Sequence, residues 1–275
     1  MRELPGMRVL FVLLVMATLA VTLLPFFWMV GASFDCPLIE TVPVPTPLGQ
    51  PDGWSLRAFR ELWASTNMAV PLLNSLIYAT GFTLAALFFN SLAAYAFARI
   101  AFPRRDRIFT LLVLTMMIPS QVTLIPVFLI LKHLGLLNTY VGLIIPGCAH
   151  VMGIFMVRQY ILDLPDELFE AARIDGCSEW WIFYYIVLPL ARPVLATLAV
   201  ISFVGAWNEF LLPLVIMQDE SGYPLPVALS IFSGQSDGTV NMIMAASLIA
   251  ALPAIFVFFI AQRHYLRGIT AGVGK

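Results

Sequence analysis

Three consecutive residues near the end of a long apolar stretch carry side chains that could recognise a ligand. Trp207, Asn208 and Glu209 supply an indole, an amide and a carboxylate in a row. Amides and carboxylates bind hydroxyl groups, and an indole can cover the apolar face of a sugar ring. An ionisable side chain in a membrane segment is a candidate for a solute pathway. The same residues could instead form a gate, a seat for an outer partner or an interfacial aromatic cluster.

A second candidate is the polar segment 163–176, which reads DLPDELFEAARIDG. Pro165 suits the first position of a helix, and Asp166 and Glu167 favour the positive end of its dipole. Gly176 suits the left-handed position that follows a helix. The segment therefore predicts a helix of about three turns over residues 165–175.

This helix carries an apolar stripe between charged residues. Leu168, Ala171 and Ala172 share one face at helical spacing, with Phe169 beside them. A helix this short is not stable alone in water, so it must pack on something. The residues themselves leave two interpretations open, which are a helix that docks into a partner's groove and a plain amphipathic connector.

Catalytic and metal chemistry have little support in the sequence. Cys36, Cys148 and Cys177 form no CxxC pair, and the three histidines have no metal-binding partners at ligand spacing. An intramembrane enzyme is therefore a distant alternative. No phosphate-binding loop of the form GxxxxGK[ST] is present, so we expect no ATP site in this chain.

Composition determines which elements must position these residues. Of the 275 residues, 60% are hydrophobic and 11% are charged, and the mean hydropathy is +0.91. A soluble fold of this size cannot bury so much apolar surface, so we expect an all-α, polytopic membrane protein. Six apolar stretches are long enough to cross a bilayer, at residues 9–30, 72–98, 108–131, 140–162, 186–217 and 242–261. Because prolines interrupt the fifth, its membrane helix is predicted at 195–212, with a helical lead-in before it.

Basic residues predict the orientation. With the N-terminus inside, twelve of the fifteen lysines and arginines lie on the cytoplasmic side. Both termini are therefore predicted to be cytoplasmic. The first stretch is too long for a cleaved signal peptide and is predicted to be retained. Arg99, Arg104, Arg105 and Arg107 are interpreted mainly as determinants of this topology.

Three hydrophilic segments connect the stretches. The outer ones, 31–71 and 218–241, are candidates for contact with an external partner, and 219–237 is the best of these because it is acidic. The inner loop, about 158–185, contains the helix predicted above. We expect a single transmembrane domain over 1–275, with a core at about 72–263, a first span and outer loop at 1–71, and a coupling loop at 163–180.

The inner loop resembles the EAA loop of ABC importer permeases. The matching residues are Glu170-Ala171-Ala172, Asp175-Gly176, Leu188-Pro189 and Pro193, and Cys177 departs from the usual alanine. Further motifs resemble the sugar-importer branch of the maltose-permease G-subunit type: 73–76, 94–99, 118–119, 134–139, 207–209 and 268–272. Asp35 is a departure, since lysine is common there.

The resemblance implies a non-catalytic permease subunit of an ATP-driven importer for carbohydrate, in the bacterial inner membrane. Glu170 would sit at the docking surface for an ATP-binding subunit, Ala171 and Ala172 would permit close approach, and Asp175 and Gly176 would shape the turn. Leu188 and Pro189 would belong to the same coupling motif, and Pro189 and Pro193 would shape the entry into the fifth span. ATP and Mg²⁺ would bind to the partner ATPase.

The resemblance also implies partners. They are a second, homologous permease subunit in a heterodimer, two ATP-binding subunits, an extracytoplasmic sugar-binding protein or lipoprotein, and membrane lipid. The net charge of −1 argues against nucleic acid.

Three interpretations stay open in the sequence. Glycerol phosphate or another small solute is the alternative substrate. Asn74, Asn90, Gln121 and His150 are interpreted as interhelical hydrogen-bond partners. The tail 263–275 either contacts the ATPase or is a solvated basic tail.

Overall fold

The computed structural model describes residues 5–34, 54–234 and 239–273, with side chains for 8–34, 54–234 and 239–260. Asp35, Cys36 and most of the first outer segment lie outside the described residues, as do Asp237 and the side chains of the C-terminal tail. Every regular element in the described part of the chain is helical. The all-α prediction is therefore confirmed.

Among the described residues, three helices are long and apolar enough to cross a membrane on their own. They are α1 (Pro5–Ser33), α3 (Ala69–Arg99) and α14 (Val240–Val273). They contain the first, second and sixth predicted stretches. Each is apolar around most of its circumference, as a lipid-facing or bundle helix requires.

The other three predicted stretches are broken helix pairs. The third consists of α4 (Arg105–Thr115) and α5 (Ser120–His133), bent by 103°. The fourth consists of α6 (Tyr140–Ile144), a 3₁₀ turn and α7 (Val151–Leu162), bent by 50°. The third stretch, predicted at 108–131, is therefore present but broken, because Pro119 lacks the N–H that would continue the helix and restricts the residue before it.

In the fifth stretch the predicted helical lead-in is confirmed, but the bounds of the membrane helix differ from the prediction. A lead-in of α9 (Glu179–Ile182), one π-helical turn and α10 (Leu188–Leu190) meets α11 (Arg192–Trp207) at 79°. The membrane helix ends at Trp207 rather than at residue 212, and the chain restarts as α12 (Leu211–Ile216). If each bent pair is one span, the described residues contain six candidate spans, as predicted.

The remaining described elements lie in the segments predicted to be hydrophilic. They are α2 (Arg57–Ser65), α8 (Asp166–Ile174) and α13 (Leu225–Gly234). The apolar helix α13 corrects the interpretation of 218–241 as a hydrophilic loop. Its residues were missed because the run is too short for a span.

The chain divides into two compact units. One comprises Met1–Met68 and Leu229–Leu252, and in it the ring of Phe34 packs on that of Phe59 with centroids 5.1 Å apart. The other comprises Ala69–Ala228 and Pro253–Lys275 and contains both candidate sites. The prediction of a single transmembrane domain stays a prediction.

The larger unit is built around α3. Both α7 and α11 pack along it, and the core between them includes Tyr95, Phe183 and Leu198, all nearly inaccessible to solvent. Small residues such as Ala94 and Ala98 let the neighbouring backbones approach closely.

Candidate functional site

A cavity of about 580 Å³ lies within the larger unit. Its wall is formed by α3, α5, α6 with the 3₁₀ turn that follows it, α11 and the start of α12. The lining residues are Tyr78, Phe82, Ser120, Gln121, Thr123, Leu124, Val127, Leu143, Pro146, Gly147, His150, Ile201, Ser202, Gly205, Ala206, Asn208, Glu209, Phe210, Leu211 and Leu212. Hydroxyls, amides and aromatic rings thus face one space.

The break between α11 and α12 brings two of the three predicted pathway residues to the cavity. Asn208 and Glu209 line it, whereas Trp207 does not; its side chain is 3% exposed and stacks on Phe203. Trp207 is therefore buried next to two lining residues in the chain, Ala206 and Asn208, without lining the cavity itself. Its predicted role as a stacking surface for a ligand has no support in this geometry.

Glu209 also caps the start of α12. Its Oε1 accepts the backbone N–H groups of Leu211 at 3.1 Å and Leu212 at 3.3 Å. The carboxylate thereby satisfies donors at the start of α12, where the helix dipole favours negative charge. Asn208 donates to the Val204 carbonyl at 2.9 Å, which ties it to the end of α11.

His150 joins three helices beside the cavity. Its Nδ1 accepts the N–H of Gly153 at 3.1 Å and so caps α7. The amide of Asn90 on α3 lies 3.4 Å from the same nitrogen, and the Ser202 hydroxyl on α11 lies 3.5 Å from Nε2. The acceptor role of Nδ1 assigns the ring proton to Nε2, facing Ser202. The interhelical role predicted for Asn90 and His150 is confirmed.

Asn74 holds the opposite end of α3. Its side-chain amide donates to the carbonyls of Ser221 and Tyr223 at 2.8 and 3.0 Å, and its Oδ1 accepts from the Tyr140 hydroxyl at 2.6 Å. The interhelical prediction for Asn74 is therefore also confirmed. Gln121, predicted to play the same role, lies instead on the cavity wall.

Asn138 anchors the segment after α12. It adopts a left-handed backbone with φ +58°, and its amide donates to the Asp219 carboxylate. Its Oδ1 accepts the backbone N–H of Gln218 at 3.2 Å. Asp219 and Glu220 remain exposed on this anchored segment.

The second candidate site is the helix α8, predicted at 165–175 and found at Asp166–Ile174. Pro165 occupies the position just before the helix rather than its first residue. Gly176 has φ +78°, its N–H donates to Arg173 O at 3.1 Å, and the N–H of Cys177 donates to Ala172 O at 3.0 Å. This pair of bonds is a Schellman motif, so the predicted glycine stop is confirmed.

The two faces of α8 have different environments. Phe169 and Ala172 are buried in the core of this chain, at 1% and 7% exposure. Leu168 and Ala171 are exposed, so the predicted single stripe of 168, 171 and 172 is wrong. Because Ala172 faces inward, it permits close approach to this chain's own helices.

The outward face of α8 has residues at helical spacing. Glu167, Glu170, Ala171 and Ile174 are all exposed, and Ile174 reaches 86%. Sequence reasoning missed Ile174. Its position four residues after Glu170 was the available signal. The outward face thus combines two carboxylates with a small and a large apolar residue.

Residues after α8 connect it to the fifth span. Asp175 ends the helix, and Leu188 packs on the buried core at the end of the π-helical turn. Pro189 lies in the first turn of α10.

Cys148 and Cys177 are free thiols, and Cys36 lies outside the described residues. Within the described ranges, no group of three or more His, Cys, Asp or Glu could hold a metal ion.

Arg99, interpreted as a topology determinant, has a further role. Its side chain is 10% exposed, and its guanidinium lies 4.2 Å from the centroid of the Phe169 ring on α8. Arg173 donates to Glu179 at 2.9 Å. This hydrogen bond raises the pKa of the Arg173 guanidinium above its ordinary value, so the group stays charged.

Comparison with known proteins gives a consistent result. The family described as "Binding-protein-dependent transport system inner membrane component" matches residues 86–271. A permease protein of the arabinooligosaccharides transport system of Bacillus subtilis (strain 168) is 34% identical over 199 residues, which cover 72% of this chain and 71% of the relative. A permease protein of the sn-glycerol-3-phosphate transport system of Pectobacterium atrosepticum is 33% identical over 266 residues, 94% of each chain.

The fold has a close match among solved structures. A chain in the crystal structure of a bacterial ABC transporter involved in the import of the acidic polysaccharide alginate superposes with a TM-score of 0.83. The match covers 96% of this chain and 98% of that chain at 22% identity. The two chains therefore share their fold.

Proposed function

The chain belongs to the family of binding-protein-dependent transport system inner membrane components, and on that premise we propose that it moves a neutral carbohydrate into the cell. It is a non-catalytic permease subunit of an ABC importer, and ATP hydrolysis belongs to separate subunits. What is proposed is the solute, the assembly and the residues that act in each.

The chemistry of the cavity carries the proposal for the solute. Ser120, Gln121, Thr123 and Ser202 supply hydroxyl and amide groups, and Tyr78 and Phe82 supply ring surfaces. Sugars present hydroxyls around their rim and C–H groups on their faces, which such a wall can match. Every lining residue belongs to the described part of the chain, and none of them is a lysine or arginine.

A phosphorylated solute is the second candidate. The sn-glycerol-3-phosphate permease of Pectobacterium atrosepticum aligns over 94% of this chain, against 72% for the arabinooligosaccharide permease of Bacillus subtilis. A phosphate would need cationic or N–H donors, whereas Glu209 brings negative charge to the wall. The cavity therefore favours the neutral sugar.

The outward face of α8 is the proposed docking surface for an ATP-binding subunit. Glu170 offers a carboxylate to basic groups, Ala171 permits close approach and Ile174 supplies an exposed apolar contact. Asp175 and Gly176 hold the angle of this helix, and Leu188 and Pro189 lead from it into α11. ATP and Mg²⁺ would bind to the ATP-binding subunits.

The assembly needs further chains. A second permease subunit completes the translocation pathway as a heterodimer, and an extracytoplasmic binding protein delivers the solute to the anchored segment that carries Asp219 and Glu220.

Both termini and α8 face the cytoplasm, because the basic residues concentrate there. Closure of the two ATP-binding subunits would move α8 and expose the cavity alternately to the two sides of the membrane.

Uptake by the complete importer tests the solute. The chain is co-expressed with its partner permease, ATP-binding subunits and binding protein, and ATP-dependent uptake of labelled arabinotriose and sn-glycerol-3-phosphate into proteoliposomes is measured. We expect arabinotriose or another neutral oligosaccharide to accumulate. Accumulation of sn-glycerol-3-phosphate alone would reject the carbohydrate proposal.

A matched pair of variants tests the cavity. Phe82→Leu removes a ring that lines the cavity, and Phe88→Leu makes the same change at an exposed position of the same helix. Loss of ring stacking, about 0.5–1.5 kcal/mol, should reduce uptake about two- to tenfold in Phe82→Leu only. Equal uptake by the two variants would reject this cavity as the pathway.

A further inference from the structure

Arginine side chains from neighbouring helices bind the last backbone carbonyls of α3 and of α7. Arg158 on α7 donates from Nε to the Phe97 carbonyl at 3.2 Å, and Arg173 on α8 donates to the Arg99 carbonyl at 3.4 Å. Both carbonyls belong to the last turn of α3, where no further helical N–H is available to them. A cation is also favoured there by the helix dipole.

Arg99 makes the reciprocal contacts. Its Nη2 donates to the carbonyls of Ile161 at 2.8 Å and Leu164 at 2.6 Å, at the end of α7. Its Nη1 pairs with Asp166, the first residue of α8, and its guanidinium lies over the ring of Phe169. One side chain from α3 therefore holds both the end of α7 and the first turn of α8.

A second connection joins the end of α8 to α3. Arg173 donates to Glu179 Oε1, and Glu179 Oε2 accepts the hydroxyl of Tyr95 on α3. Tyr95 is 2% exposed and packs on Phe183 with ring centroids 5.7 Å apart. The helix α8 is thus fastened to α3 at both of its ends.

The bonds from Arg99 to the two carbonyls are strong because its side chain is only 10% exposed and exchanges few hydrogen bonds with solvent. The carboxylate of Asp166 is 75% exposed, so water screens its ion pair with Arg99 and that pair contributes less. Bonds from a charged donor to carbonyls are shorter and stronger than neutral ones, and the planar fork of arginine fixes their directions. Lysine cannot reproduce this geometry.

We propose that Arg99 is a positioning residue that makes α8 and α3 move as one body during transport. Phe82 and Tyr78 lie on the same helix as Arg99 and line the cavity. Seventeen residues separate Phe82 from Arg99, which is about 25 Å along the helix axis. A displacement of α8 at its docking face would therefore reach the cavity wall directly through α3. This inference rests on the proposed docking of α8.

The test compares Arg99→Gln with Arg107→Gln in the complete importer. Both changes remove an arginine from the same side of the chain, and Arg107 is exposed on α4. Three quantities are measured: recovery of the ATP-binding subunits with the chain, ATP hydrolysis, and solute transported per ATP hydrolysed. We expect Arg99→Gln to keep the complex and its hydrolysis but to lower the transport ratio about threefold or more. Arg107→Gln should match the wild type.

Conservative variants separate coupling from folding. Arg99→Lys keeps the charge but loses the fork, so we expect a ratio between those of the wild type and Arg99→Gln. Tyr95→Phe removes a single hydroxyl from a packed site, and its ratio should also fall. If the Arg99 variants do not assemble, Tyr95→Phe still tests the connection between α8 and α3.

Two results would overturn the inference. One is an unchanged transport ratio in Arg99→Gln or Tyr95→Phe with the complex intact. The other is a proportional loss of complex, hydrolysis and uptake in Arg99→Gln, Arg99→Lys and Tyr95→Phe, which would mean a purely structural role. Failure of the wild-type chain to recover the ATP-binding subunits would instead refute the proposed function.

Discussion

Gly176 offers a quantitative test of how α8 is held. Its φ is +78°, and a Cβ added there would meet no atom within 4 Å. The cost of Gly176→Ala is therefore backbone strain alone, about 1–2 kcal/mol for an L-residue in the left-handed region. Asparagine tolerates this region better, so Gly176→Asn should cost less.

The strain should appear as local opening of the last turn of α8. The backbone N–H groups of Asp175, Gly176 and Cys177 close this turn by bonding to carbonyls of α8. A loss of 1–2 kcal/mol corresponds to about a five- to thirtyfold rise in the open fraction. Hydrogen exchange of the peptide that contains these amides, measured on the intact complex by mass spectrometry, should accelerate by that factor in Gly176→Ala.

A second glycine provides the control. Gly205 lies in α11, has no atom within 4 Å of an added Cβ and does not have a positive φ. Gly205→Ala should stabilise its helix by about 0.5–1 kcal/mol. Exchange in Gly176→Ala that equals the wild type would refute the reasoning, as would faster exchange in Gly176→Asn than in Gly176→Ala.

Three further predictions concern the cavity and its supports. His150→Leu leaves a helical N–H without its cap, so we expect a loss of about 1–3 kcal/mol in thermal unfolding, with Cys148→Ala near neutral as its control. Glu209→Gln keeps the oxygen that caps α12 and should preserve the melting temperature, whereas Glu209→Ala should cost about 1 kcal/mol; equal melting of the two variants would contradict the capping role. Tyr140→Phe removes the hydroxyl that Asn74 accepts and should cost about 1 kcal/mol, and an unchanged melting temperature would show that this bond adds nothing.

The parts of the fold that depend on local signals could be predicted from the sequence. The bounds of α8 and the stop at Gly176 followed from a proline, acidic first-turn residues and a glycine, all within fourteen positions. The six apolar stretches followed from length and hydropathy. Such signals act within a few residues, so no knowledge of the packing is needed.

The breaks and the cavity depend on packing and could not be predicted in this way. Apolar residues resume after Asn208 and Glu209 and continue to Leu212, so hydropathy extends the fifth span beyond the true end of α11 at Trp207. The spanning helices are apolar on all sides, so periodicity does not distinguish a cavity-lining residue such as Tyr78 from one that faces lipid. Tyr78 and Ser202 share the cavity although more than a hundred residues separate them in the chain.

The tertiary contacts of Arg99 could not be predicted from the charge pattern of the sequence. Positive charge near the ends of apolar stretches indicated topology, and Arg99 was assigned to that group. Its burial against Ile161, Leu164 and Phe169 is a tertiary property, because these residues lie more than sixty positions away. The same side chain therefore also attaches α8 to α3.

The most direct test of the account is the identity of the neighbour of Ile174 in the assembled importer. A photoreactive amino acid replaces Ile174, the 86%-exposed residue on the outward face of α8, and a second variant carries it at Leu84, which is exposed on α3. The account predicts that irradiation joins position 174 to an ATP-binding subunit and leaves position 84 without that product. A crosslink from position 174 only to the second permease or to lipid would contradict it.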